Sequence, residues 1–83
     1  MIHLQFSIYD SKSRAYLPPF ILPRTEQAVR IFSDCVNSES HEFGKHPEDY
    51  TLHRIGVFND ETGLTTPEVA PLLEASGVEL RVA

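Results

Sequence analysis

One short segment of this 83-residue sequence interleaves aromatic side chains with basic ones. Single-stranded nucleic acids are bound by aromatic rings that stack on bases, beside cations that contact phosphates. The segment therefore predicts a nucleic-acid-binding site made of Tyr9, Lys12, Arg14, Tyr16, Phe20 and Arg24. The alternative interpretation is an exposed hairpin whose underside is hydrophobic.

Four histidines and one cysteine raise the question of a metal site. His41 and His46 are five residues apart in a polar segment. Zinc sites usually have Cys-x-x-Cys pairs or regularly spaced histidines, and the sequence contains no such pair. Cys35 lies among apolar residues at helical spacing, which favours a small buried side chain over a reactive one. We therefore expect no metal and no cofactor.

Two pairs of adjacent carboxylates, Glu48–Asp49 and Asp60–Glu61, could be read as groups for acid–base catalysis. Such pairs must flank a substrate, and we expect neighbouring residues in turns to diverge. The four glycines are scattered, so no phosphate-binding loop is present. We find no nucleophile–base pattern, and we predict a protein that is not an enzyme and has no catalytic residues.

The elements that must position these residues follow from periodicity. Residues 2–9 alternate apolar and polar side chains, which predicts a strand. Residues 14–17 can return as a second strand of a hairpin, and Pro18–Pro19 then stop the pairing. Residues 25–37 have apolar residues at three- and four-residue spacing, which predicts a helix capped by Thr25.

The second half of the chain has a weaker pattern. Residues 38–49 predict a loop pinned by Phe43, and residues 50–58 predict a strand. Alternation along this strand places Tyr50, Leu52 and Phe58 on one face and Thr51, His53, Ile55 and Val57 on the other. The alternation is imperfect, which indicates either a bulge at Gly56 or a strand covered on both faces. Residues 59–63 predict a tight turn in which Gly63 supplies a positive φ. A short helix at 71–76 and a strand at 78–82 follow. The whole predicts one α+β domain over residues 1–83: a small antiparallel or mixed sheet of about four strands, covered on one face by one main helix.

The charge is uneven along the chain. The net charge is −5, which disfavours nonspecific binding to nucleic acid. The first 30 residues carry four lysines and arginines against two carboxylates, whereas the remainder carries three against ten. No apolar run is long enough for a membrane span, and we see no signal peptide, so we expect no membrane partner.

Several short motifs follow one another along the chain: Asp10-x-Lys12, Tyr16, Pro19-Phe20, AVRIF at 28–32, HPEDYTLHRIGVF at 46–58 and Thr-Gly at 62–63. Together they resemble the small nonstructural protein of gokushoviruses, which are single-stranded DNA phages of the Microviridae. The resemblance covers residues 6–63, and the last twenty residues lie outside it. Val57 and Asn59 stand where that family often has acidic residues.

The resemblance implies a phage protein that is made in the cytoplasm of the bacterial host, is absent from the capsid and is associated with viral DNA synthesis. Our first hypothesis is a nonenzymatic accessory that binds single-stranded DNA or the replication machinery. The alternative is a small acidic module that interacts with a host or phage protein. We also predict a homodimer, because Ile55 and Val57 would be left on an uncovered face of the strand at 50–58.

Overall fold

The computed structural model describes residues 1–82. Five strands form one sheet: β1 (Ile2–Asp10), β2 (Ala15–Tyr16), β3 (Phe20–Leu22), β4 (Tyr50–Asn59) and β5 (Leu64–Ser76). The helices are α1 (Thr25–Val36), α2 (Glu42–Lys45) and α3 (Gly77–Leu80), with a 3₁₀ turn at Pro47–Asp49. Within residues 1–82, no helix has the length and apolar character needed to cross a bilayer.

The sheet is antiparallel at every pairing, with β1 near its centre. One edge of β1 pairs with β4, which in turn pairs with β5. The other edge of β1 pairs with β2 and then with β3, because Pro18 and Pro19 interrupt that strand and cannot donate to the ladder. The structure agrees with the prediction of a small antiparallel sheet and one main helix, although strands predominate and their number is five.

The core lies between α1 and one face of the sheet, which we call the helix-side face. Side chains at every fourth position of α1 are buried there, as expected for an amphipathic helix. The buried apolar residues are Phe6, Ile8, Ala28, Phe32, Val36, Tyr50, Leu52 and Ala75. The opposite side of the sheet, which α1 does not cover, is called the open face.

A bulge in β4 changes which face each side chain takes. Phe6 pairs with Arg54 and Gln5 pairs with Gly56, so Ile55 is the extra residue. The bulge predicted at Gly56 is therefore confirmed. Beyond it, Val57 pairs with Leu4 on the helix-side face, whereas His53 pairs with Ser7 on the open face. The prediction that Val57 and His53 share a face is therefore wrong.

Phe58 provides a second correction. We expected it on the same face as Tyr50 and Leu52, but it pairs with His3 on the open face, because the bulge shifts the alternation by one residue. The two rings are in contact there, with centroids 6.3 Å apart.

The strand β5 replaces the short helix predicted at residues 71–76. Its pairing with β4 is irregular, because Pro67 pairs with Gly56 and Leu72 with Arg54, so that four residues of β5 lie opposite Ile55 alone. An edge strand tolerates Pro67 and Pro71, since its outer N–H groups need no partner in the sheet. The strand predicted at 78–82 is also wrong, because α3 begins at Gly77.

The polar segment at 38–49 is not a plain loop, since it contains α2 and the 3₁₀ turn. Phe43 contacts Phe32 and Tyr50, with ring centroids 5.7 and 4.4 Å apart, which confirms that it pins the segment to the core. The start of α1 differs by one residue from the prediction. Arg24 occupies the N-cap without a side-chain hydrogen bond, and Thr25 is the first helical residue.

The end of the described chain is held by Asn37, which follows α1. Its Nδ2 donates to the Leu80 carbonyl at 3.0 Å, and the Val82 N–H donates to its Oδ1 at 2.8 Å. Arg81 donates to the Gly44 carbonyl at 2.6 Å. The C-terminal segment thus packs on the polar segment that closes the core.

Candidate nucleic-acid interface

Three rings lie side by side on the open face, on three neighbouring strands. Tyr16 of β2 contacts Tyr9 of β1 at a centroid distance of 4.8 Å, and His53 of β4 lies 5.5 Å from Tyr16 and 6.3 Å from Tyr9. We call Tyr9, Tyr16 and His53 the open-face row. The row is uncovered by any helix of residues 1–82, and Tyr16 is 45% exposed.

The register of the sheet explains why these rings meet. Tyr9 pairs with Tyr16 on one side and with Thr51 on the other, so all three side chains share a face. His53 is two residues beyond Thr51 and therefore points to the same side. The Thr51 hydroxyl and His53 Nε2 form a hydrogen bond of 2.9 Å, which orients the imidazole.

His53 is the half-buried member of this row. Its Nδ1 is shielded from solvent and has no hydrogen-bond partner within residues 1–82. Burial lowers the pKa of His53 below the usual 6.5, because a charged ring would lose its hydration. The ring is therefore neutral at pH 7 and offers an aromatic surface to the row. Sequence reasoning missed His53 because only the pairing of β1 with β4 brings it beside Tyr9.

The turn between β1 and β2 carries two of the predicted cations. Lys12 and Arg14 are exposed there, and Arg14 adopts a left-handed conformation with φ of 57°. The Asp10 carboxylate accepts the Lys12 backbone N–H at 3.0 Å and so holds the turn. These two side chains lie at the end of the strands that carry Tyr9 and Tyr16.

An acidic turn lies directly beside this basic turn. The Ser11 N–H donates to the Asp49 carbonyl at 2.9 Å, which brings Glu48 and Asp49 near Lys12 and Arg14 in the fold. The basic turn is therefore close to one acidic segment of the second half of the chain and is not separated from it in space. Carboxylates beside these cations reduce the positive potential that would attract phosphates.

Phe20 and Arg24 do not join the other predicted residues. Phe20 pairs with Phe6 on the helix-side face, where the two rings stack with centroids 5.8 Å apart. Arg24 follows β3, which pairs with Leu4–Phe6 of β1, whereas β2 pairs with Tyr9 and Asp10, so Arg24 lies towards the other end of β1. The structure thus brings Tyr9, Lys12, Arg14 and Tyr16 together and places Phe20 and Arg24 elsewhere. Nucleic-acid binding by these residues stays a prediction.

Three potential metal ligands converge in the acidic turn, where we had expected Glu48 and Asp49 to diverge. One ligand atom each from His46, Glu48 and Asp49 lies within 4.8 Å of the others. The His46 and Glu48 side chains are exposed, and His46 Nδ1 lies 3.8 Å from a Glu48 oxygen. This geometry is that of a solvated His–carboxylate cluster, such as occurs without an ion.

The second carboxylate pair has a structural role. Asp60 lies 2.7 Å from the N-terminal amino group and 2.9 Å from His3 Nε2. Hydrogen bonds from the amino group and from His3 lower the pKa of Asp60. The pair therefore ties the start of β1 to the turn between β4 and β5.

A shallow groove of about 390 Å³ runs along α1 beside α3. Its lining residues are Thr25, Glu26, Val29, Arg30, Ser33, Asp34 and Leu80. One cation and two carboxylates line it, so the groove has no strong charge preference.

Comparison with known proteins identifies a family with a similar sequence pattern. A family model described as "Phage ORF5 protein" matches residues 4–80. No curated protein sequence and no solved structure matches the chain significantly. The matched region includes residues 64–80. Most of the C-terminal segment lies outside the resemblance noted from the sequence, but it belongs to the region that the family model covers.

Proposed function

Because the chain belongs to the Phage ORF5 protein family, we propose that it is a nonenzymatic phage accessory protein whose open-face row binds single-stranded DNA. The observation that supports this proposal is the contact of Tyr9, Tyr16 and His53 across three strands of an uncovered sheet face. The resemblance over residues 6–63 supports a gokushovirus as the source. It also supports a role in viral DNA synthesis in the cytoplasm of the bacterial host.

Stacking and charge make different contributions to such binding. A base stacked on an aromatic side chain contributes about 1–3 kcal/mol, and the interaction tolerates any sequence. Only Lys12 and Arg14 flank the row, so about two phosphates would be neutralised. The logarithm of the association constant should then fall with the logarithm of salt concentration with a slope of about −1.4. We expect weak binding that depends more on the rings than on salt.

Fluorescence anisotropy with a labelled single-stranded oligonucleotide at low ionic strength tests the role of the rings. Tyr16→Ala should weaken binding about 5- to 150-fold, because it removes one stacking surface. Ile21→Ala is the matched control, since Ile21 lies on the open face outside the row and is 44% exposed, nearly the same as Tyr16. Absence of binding at tens of micromolar wild-type protein would exclude the DNA-binding role.

The role of the basic turn is tested by its salt dependence. The Lys12→Ala/Arg14→Ala variant should lose most of the salt slope, because each cation neutralises about one phosphate. Arg24→Ala is the control, since this exposed arginine lies at the other end of the sheet. Equal effects of the two variants would show that the turn does not bind the phosphates.

A second function is favoured by the acidic turn beside Lys12 and Arg14. With a net charge of −5, the protein could act instead as a small interaction module on a host protein or on a phage replication protein. Affinity capture from infected cells, with and without nuclease treatment, separates the two functions. Complexes that persist after nuclease treatment would support the interaction module, whereas complexes lost with the DNA would support the first function.

A further inference from the structure

A second pair of rings lies on the open face, at the far end of β1 from the open-face row. His3 of β1 pairs with Phe58 of β4, and their ring centroids are 6.3 Å apart. Both side chains are half-buried, so part of each ring is accessible. His3 Nε2 and an Asp60 oxygen form a hydrogen bond of 2.9 Å, which orients the imidazole as Thr51 orients that of His53. We call His3 and Phe58 the distal pair.

The distal pair and the open-face row are separated by a length that suits a short nucleic-acid strand. His3 and Tyr9 lie six positions apart on β1, which corresponds to about 20 Å at about 3.4 Å per residue. A stacked strand advances about 3.4 Å per nucleotide, so the two ring clusters are about six nucleotide steps apart. A more extended strand would need fewer steps. Domains that bind single strands commonly cover about 4–16 nucleotides.

The open face is concave between the two ring clusters. On one side, the Ser7 hydroxyl donates to the Leu17 carbonyl at 2.7 Å, so the segment that follows β2 rises above β1. On the other side, the Cβ position of Gly56 lies 2.7 Å from the Thr66 carbonyl oxygen, so β5 rises above β4. Ser7 and Gly56 are buried for this reason, although both positions face the open side. A shallow trough therefore follows β1 and β4 from one cluster to the other.

The charges along this trough favour bases on its floor and phosphates at one end. Among the paired strand positions of residues 1–82, no Asp, Glu, Lys or Arg faces the open side. Lys12 and Arg14 lie at the end that carries the row, where they can contact phosphates. At the other end, the N-terminal amino group lies 2.7 Å from Asp60 and 3.5 Å from Glu61 and offsets part of their charge. Phosphates are therefore held at the row end only.

We infer that single-stranded DNA lies along this trough, with one base stacked on the open-face row and another, up to about six nucleotide steps away, stacked on the distal pair. The inference rests on the proposed function and adds a second stacking site to it. Because one DNA strand joins the two sites, the second site increases the affinity only of oligonucleotides that are long enough to reach both. Shorter oligonucleotides bind to the row alone.

The dependence of affinity on oligonucleotide length tests the second site. Unlabelled oligothymidylates are competed against a labelled oligonucleotide, and fluorescence anisotropy measures the affinity of each. Affinity should rise steeply with length up to about seven nucleotides and only slowly beyond. Phe58→Leu should weaken the binding of an oligothymidylate of about twelve nucleotides about 5- to 150-fold, because it replaces a stacking ring with an aliphatic side chain. It should leave the binding of a dinucleotide unchanged, whereas Tyr16→Ala should weaken the binding of both.

Two further variants make the result specific to the rings. Thr65→Ala is the matched control, because Thr65 pairs with Phe58 on the open face and has no ring, and it should not alter either affinity. His3→Gln retains a hydrogen-bond donor for Asp60 and should weaken only the binding of the longer oligothymidylate.

The outcomes separate this second site from the proposed function itself. Binding that is lost with Tyr16→Ala but does not depend on length, Phe58→Leu or His3→Gln would overturn the second site and leave the proposed function in place. Absence of binding to every oligothymidylate would overturn both.

Discussion

Replacing Gly56 with alanine should destabilise the protein, because β5 passes unusually close to this residue. A Cβ at position 56 would lie 2.7 Å from the Thr66 carbonyl oxygen and 3.2 Å from the Pro67 Cα. Both contacts are with backbone, so no side chain can rotate away and the strands must separate by several tenths of an ångström. Overpacking of this kind costs about 1–3 kcal/mol.

Part of this cost is offset in the unfolded chain. Alanine has fewer conformations to lose than glycine, which stabilises the folded state by about 0.4–1 kcal/mol. The net loss should be about 1–2 kcal/mol, against a total of about 4–12 kcal/mol for a domain of this size. Urea denaturation followed by circular dichroism would detect it as a lower midpoint with an unchanged m-value.

Gly63 provides the control, because glycine is needed there for its backbone conformation and not for lack of space. Its φ is 74°, and no atom lies within 4 Å of the Cβ position. Gly63→Ala should therefore be destabilising and Gly63→Asn much less so, since asparagine tolerates the left-handed region. At Gly56 the larger asparagine should be worse than alanine. A Gly56→Ala variant as stable as the wild type would refute the close-approach argument.

Three further predictions concern the core, the open face and the C-terminal segment. Leu52→Ala should lower the free energy of unfolding by about 2–5 kcal/mol in a denaturant titration, because Leu52 is fully buried. The free energy of unfolding should fall as the pH decreases below about 6.5, because His53 takes up a proton more readily in the unfolded chain than in the folded one. Denaturant titrations of the His53→Gln variant at the same pH values should lack this part of the pH dependence. Asn37→Ala should cost about 1 kcal/mol and increase hydrogen exchange in the C-terminal segment, because the bonds to Leu80 and Val82 are lost.

Local periodicity predicted the elements whose side chains alternate regularly. The strand β1 and the helix α1 follow directly from their apolar patterns, and the turn at Gly63 follows from the need for a positive φ. The pinning role of Phe43 was also predictable, since it is the only large apolar residue in a polar segment. In each case the information lies within a few neighbouring residues.

The remaining features depend on contacts between distant parts of the chain. His53 joins the open-face row only because β1 pairs with β4, more than forty residues away. Phe20 was assigned to the wrong surface because the pairing with β1 shifts by one residue between β2 and β3, across Pro18 and Pro19, and this shift places Phe20 on the opposite face from Tyr16. Residues 71–76 could not be identified as a strand, because the prolines that argue against strand structure are tolerated at an unpaired edge.

The position of β1 also determines when this chain can fold during synthesis. Its long partner β4 ends at Asn59, whereas β1 itself is complete at Asp10. At a translation rate of 5–20 residues per second, about 3–10 s pass between these two points. During that interval β1 can pair only with the short strands β2 and β3, and the apolar face bearing Phe6 and Ile8 has no Leu52 to contact. The central strand of the sheet is therefore synthesised several seconds before its long partner, and the sheet cannot be completed until β4 has been made.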